Sequence, residues 1–119
     1  MWNAWRAAAR GLIVAWRTER HLKVHSVAAV AVIGLGLALE LSAVEWAILT
    51  LAMGMVFAAE YANSALERLA DRVSVERHPL IRDAKDFAAA SVLVAALAAA
   101  VVGLLILGPK LWIYLLDNQ

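Results

Sequence analysis

The stretch Glu60-Tyr-Ala-Asn63-Ser64-Ala-Leu-Glu67-Arg-Leu-Ala-Asp71 spaces its polar side chains by three, four and four residues. On an α-helix these intervals place Glu60, Asn63, Glu67 and Asp71 in one stripe about 80° wide. Carboxylates at such spacings repel each other, by about 0.2–0.5 kcal/mol per pair in water, unless cations lie beside them. Arg68 and Arg72 give only partial relief, because each points about 100° away from the acid before it. A second charged group follows at Arg82-Asp83-Ala-Lys85-Asp86, and Glu19 lies upstream. Carboxylate oxygens are hard ligands suited to Mg²⁺, and a lysine suits phosphate. A metal held by one or two carboxylates, a lysine on the phosphates and a carboxylate beside an acceptor hydroxyl are the parts of a phosphoryl-transfer site. No G-x-x-x-x-G-K-[ST] phosphate loop occurs, and Gly34-Leu-Gly36 is better read as close helix packing.

The elements that must carry these residues are apolar. Of 119 residues 64% are hydrophobic and 18% charged, and the mean hydropathy is +0.74. A soluble globule of this length cannot hide so much apolar surface, so the composition indicates a membrane protein. Three runs are long enough to cross about 30 Å of hydrocarbon: residues 24–41, 44–61 and 87–109. Period-2 alternation is missing from them, so they read as helices, and the first two form a tight hairpin. Basic residues gather in two places: Arg6, Arg10, Arg17, Arg20 and Lys23 before the first run, and Arg68, Arg72, Arg77, Arg82 and Lys85 between the second and third. That bias puts the N-terminal segment and the 62–86 connection in the cytoplasm, and the 40–45 turn and the C-terminal tail outside. A net charge of +1 gives no electrostatic footprint for nucleic acid, and with no cysteine there is neither disulfide nor thiolate metal site.

Residues 1–22 read as an amphipathic interfacial helix, with Trp5, Leu12, Trp16 and Glu19 on one face and Arg6, Arg10 and Arg17 on an adjacent one. A signal peptide is disfavoured by the long basic region and by Glu40 near the would-be cleavage zone. The whole is one all-α membrane domain. Glu60 ends a spanning run, where burying a carboxylate costs about 2.5 kcal/mol or more, so it is expected to be functional.

Glu19-Arg-His-Leu-Lys23-Val-His25, Glu45-Trp46, the Glu60–Arg72 stretch, His78-Pro79-Leu80 and Ala84-Lys85-Asp86 resemble the small prokaryotic diacylglycerol kinase and undecaprenol kinase family over nearly the whole chain. The resemblance implies an ATP- and Mg²⁺-dependent lipid kinase in the bacterial inner membrane, a homotrimer with sites on the cytoplasmic side and between protomers. It implies Glu60 as the base, Glu19 and Glu67 on Mg²⁺ and nucleotide, Asn63 orienting phosphate or acceptor, and Lys85 on the β/γ-phosphates. It also implies that Asp71, Glu76, His78 and Asp86 line the adenosine pocket. The Glu-Arg-x-x-Lys-x-His stretch, Glu45-Trp46 and His78-Pro79-Leu80 look more like the undecaprenol kinases, with diacylglycerol as the alternative acceptor. Where members often carry Ala-Gly-Ala after the Lys-Asp pair, this chain reads Phe87-Ala88-Ala89-Ala90-Ser91. A small transporter or adaptor is a remote alternative, since its key carboxylate belongs near mid-bilayer and Glu60 does not lie there.

Overall fold

The computed structural model describes residues 2–73 and 78–119. These form four helices: α1 (Trp2–Thr18), α2 (Arg20–Ala38), α3 (Ala43–Val73) and α4 (Pro79–Asp117). Among the described residues there is no strand, and α2, α3 and α4 are each long and apolar enough to span a membrane. With a rise of about 1.5 Å per residue, α3 is about 46 Å long and α4 about 58 Å, so both overrun the hydrocarbon. The longest molecular extent, 60 Å, matches α4.

The chain does not fold around a closed core. Its accessible surface is 8990 Å², against about 6,300 Å² for a compact soluble protein of this mass. The radius of gyration is 17.8 Å, where about 13.5 Å describes a globule of equal length. The surplus surface is apolar: Val24, Val27, Val30, Ile33 and Leu37 form an exposed row on α2, and Leu93, Leu97, Val101, Leu104 and Leu105 are exposed on α4. Such faces need lipid or another protein against them. The small core of Leu39, Leu49 and Leu107 lies towards the α2–α3 turn, with Val32, Leu35, Met53 and Val102 packed on it.

Element boundaries differ from the sequence expectation: α2 and α4 begin earlier, at Arg20 and Pro79, α3 runs on to Val73, and three further ends differ as well. The interfacial helix ends at Thr18, not residue 22, because Glu19 is extended (φ −103°, ψ 115°) and serves as the N-cap of α2. Glu19 therefore leaves the apolar face of α1 and sits at a corner. The first spanning helix stops at Ala38, and the chain turns through Glu40 at φ 54°. The third continues through Pro109 to Asp117. A proline removes one backbone bond, and the apolar 111–116 segment beyond it favours keeping the remainder intrahelical.

The hairpin turn is built by a reciprocal cap. Ser42 N–H donates to Glu45 Oε1 at 3.0 Å, and Glu45 N–H donates to Ser42 Oγ at 3.1 Å. Lys110 of α4 adds an ion pair to Glu45 at 3.0 Å and donates to the Glu40 carbonyl at 3.3 Å. Gly36 is buried, and a Cβ there would lie 2.7 Å from Trp46 and 2.9 Å from Leu41, so this glycine lets the turn close. Gly34 meets nothing within 4 Å, so only half of the Gly-Leu-Gly pair packs as expected within one chain. Alanine is better than glycine in a helix by about 1 kcal/mol. Gly34→Ala should therefore raise the unfolding midpoint in a detergent titration, whereas Gly36→Ala should forfeit that gain and fall below it by about 1 kcal/mol or more through overpacking. Equal midpoints would contradict the close approach at Gly36.

Candidate active site

Along α3 the polar stripe runs from buried to open. Glu60 is 4% exposed and Ser64 7%, while Glu67 is half-buried and Asp71 exposed. Eleven residues of helix, about 16 Å, separate the first acid from the last. Burial of Glu60 is possible because His25, on α2, places Nε2 2.9 Å from Glu60 Oε1. The His25 ring lies edge-on to Phe57 with centroids 6.5 Å apart, one turn earlier on α3. Next to it, the Asn63 side-chain oxygen is buried with no hydrogen-bond partner. An unpaired buried amide oxygen is costly and marks a place where a ligand, ion or water belongs.

Three other elements bring charges to the same end of the bundle. At the α1–α2 corner, Thr18 Oγ1 donates back to the Val14 carbonyl at 2.9 Å, Trp16 Nε1 donates to Ser26 Oγ at 3.0 Å, and Lys23 lies 5.6 Å over the Trp16 ring. Arg68 of α3 reaches this corner, donating to Thr18 Oγ1 at 2.8 Å and pairing with Glu19 at 3.4 Å. Arg68 thus serves Glu19 across the fold, where the sequence had suggested partial relief of Glu67. Tyr61 straps α3 to α1 by donating to the Leu12 carbonyl at 3.1 Å. From α4, Lys85 pairs with Asp71, and the charge of Glu67 acts on it as well. Asp86 is exposed one residue further on.

His78 has a structural use: it is the N-cap of α4, its Nδ1 accepting from Leu80 N–H at 3.1 Å, with Pro79 following. Glu76 lies outside the described residues. The fold therefore joins Glu19 to α3 through Arg68, and Lys85 to Asp71. His25 was given no role from sequence; its signal was an ionisable residue inside an apolar run, which requires a partner at its own depth.

Among the described residues no three His, Asp or Glu side chains form a ready-made metal cage. Mg²⁺ does not need one, since it usually keeps waters and binds one or two carboxylates together with substrate phosphates. The carboxylates of Glu19 and Glu67 and the orphaned oxygen of Asn63 are the right hard donors for it.

The family profile described as prokaryotic diacylglycerol kinase matches residues 6–107. The chain belongs to this family. Among its relatives, an undecaprenol kinase of Bacillus subtilis is 43% identical over 104 residues, covering 87% of this chain and 85% of that protein. A diacylglycerol kinase of Synechocystis is 39% identical over 92% of this chain and 69% of its own length. A diacylglycerol kinase of Escherichia coli K12 is 31% identical over 82% of this chain and 80% of its own. As a member of the diacylglycerol kinase family the chain is a lipid kinase and a membrane protein, as its motifs and spanning helices led us to expect.

The α1–α2 corner hangs on Arg68. Arg68→Ala should speed amide hydrogen exchange at residues 16–20 by about fivefold or more, because local opening there loses its cross-link. Unchanged exchange would show that the corner is held without it.

Proposed function

We propose that this kinase transfers the γ-phosphoryl group of ATP to the hydroxyl of undecaprenol, forming undecaprenyl phosphate. The observation that carries the reading is a nearly buried carboxylate, Glu60, set at the same end of the bundle as the Glu19, Glu67 and Lys85 charges. Glu60 is the general base. As the lipid O–H bond breaks, its proton goes to the Glu60 carboxylate; the oxygen forms a new bond to phosphorus, and the bond from phosphorus to the ADP oxygen breaks on the opposite side. Lys85 leaves Asp71 to meet the β/γ-phosphates, a short movement for a flexible and partly exposed side chain. Asn63 turns its unpaired oxygen to the reacting end of the nucleotide or acceptor. Glu19 and Glu67 hold Mg²⁺, which neutralises charge developing on the phosphates. Asp71, Glu76, His78 and Asp86 line the adenosine side.

An apolar crevice of about 250 Å³ between α2, α3 and α4 supports a lipid acceptor. Its walls include Ala52, Val56, Ala96, Ala99 and Gly103, and His25 is its one polar lining residue. The polyprenol assignment rests on the Glu19–His25, Glu45-Trp46 and His78–Leu80 motifs and is supported by the similarity to an undecaprenol kinase. We further propose a single domain over residues 1–119 in the bacterial inner membrane, its site cytoplasmic, and a homotrimer in which neighbouring copies cover the exposed rows of α2 and α4.

Labelled ATP offered to the purified protein with undecaprenol or diacylglycerol should label undecaprenol at the greater kcat/KM; preference for diacylglycerol would reassign the acceptor. Glu60→Gln should lower kcat by about 10²- to 10⁴-fold, the usual worth of a positioned base, while nucleotide binding persists. Near-normal turnover would remove the base assignment. If sites lie between protomers, mixing Glu60→Gln and Glu19→Gln chains should restore part of the activity, and stably mixed trimers without activity would place each site in one chain.

A further inference from the structure

We propose that His25 is a positioning residue for Glu60: its Nε2–H bond holds the buried carboxylate in one orientation and turns its other oxygen towards the acceptor. This inference rests on the reading of Glu60 as base. A base must aim an oxygen at the acceptor, and a carboxylate at 4% exposure, like any buried polar group, needs a hydrogen-bond partner to hold it there. Among the described residues the one hydrogen-bond partner of the Glu60 carboxylate is His25. The carboxylate can only accept when ionised, so the bond assigns the hydrogen to Nε2.

The surroundings leave that task to His25. From α4, the crevice wall at this level offers Ala96, Ala99 and Ala100, none of which can donate from its side chain. On α2, Ser26 is committed to the Leu22 carbonyl at 2.7 Å and to Trp16. On α3, Arg68 is engaged with Thr18 and Glu19 at the corner. Also on α2, Lys23 turns to the corner, its Nζ donating to the backbone carbonyl of Arg17 on α1 at 3.3 Å. Phe57 lies edge-on to the imidazole, with ring centroids 6.5 Å apart. With Oε1 occupied, Oε2 is the oxygen left for the lipid hydroxyl. His25 also lines the apolar crevice, so the same side chain closes the site from the hydrocarbon side.

The test compares His25→Leu, which fills similar volume without a donor, with His25→Gln, whose amide N–H can replace Nε2–H. Steady-state kinetics with ATP and undecaprenol would be measured for both, for Glu60→Gln and for the double variant His25→Leu/Glu60→Gln. His25→Leu should lower kcat by about 10- to 100-fold, the equivalent of one charge-assisted hydrogen bond, with the KM for ATP within about twofold of wild type. His25→Gln should recover most of that loss. In the Glu60→Gln background His25→Leu should cost nothing further, because its effect runs through the carboxylate. Equal turnover of the Leu and Gln variants, or losses that multiply in the double variant, would overturn the proposal while leaving Glu60 as base. Near-normal turnover of Glu60→Gln would instead overturn the base reading itself. Should His25→Leu fail to fold, a His25→Gln protein that folds but has lost activity as Glu60→Gln does would also overturn the proposal.

Discussion

A carboxylate buried where a hydrophobic helix leaves the bilayer is the constraint on which this architecture turns. Glu60 lies on α3 with apolar residues below it and a polar stripe above it, and its buried carboxylate needs a hydrogen-bond partner from another helix. His25 meets that need only if α2 runs alongside α3 in a fixed register. That register is set about 20–25 Å away, at about 1.5 Å per residue, by the turn at the opposite end. There Ser42 and Glu45 cap α3 reciprocally, Lys110 joins α4 to the cap, and Gly36 admits Trp46. A tight turn at one end thus positions an acid–histidine pair at the other.

The two ends differ in a way that matters for function. At the turn the Glu45 carboxylate is matched by Lys110 and by the Ser42 backbone N–H. At the basic end the charges are brought together but left in part available. Asn63 keeps an unpaired buried oxygen, Lys85 is partly exposed with Asp71 as its ion-pair partner, and Glu19 is held by one long contact to Arg68. Weakly satisfied groups are easily recruited by a ligand, whereas the closed set at the turn is suited to holding helices together. The opening of the α1–α2 chain at Glu19 serves this asymmetry, since an extended residue can swing a carboxylate where a helical one would fix it on the lipid face.

Much of this was legible in the sequence because the signals are periodic. The 3–4–4 spacing marked which side chains share a face of α3, and run lengths marked three helices long and apolar enough to span a membrane. Glu19 was misplaced on a helix face because Thr18 has two competing uses: it can extend α1, or fold back on Val14 and end it, and only the contact with Arg68 shows which one prevails. Pro109 looked like a terminus because a soluble helix would stop there, while an apolar continuation offers the backbone no other partner. The His25–Glu60 bond joins residues 35 apart and has no local spacing to reveal it. His78 carried two meanings, and its capping role depends on the start of α4 one residue later.

The most direct measurement is the position of the metal–nucleotide complex relative to the two ends. With Mn²⁺ in place of Mg²⁺ and a non-hydrolysable ATP analogue, pulsed electron paramagnetic resonance gives the distance to nitroxides at the exposed positions Val73 and Trp112. Glu67 is six residues from Val73, whereas Phe87 and Trp112 are about 37 Å apart along α4. The account predicts a shortest Mn²⁺ distance under about 25 Å to position 73 and above about 35 Å to position 112, given that rise per residue. A metal nearer to position 112, or nucleotide binding that places no metal near either label, would contradict it.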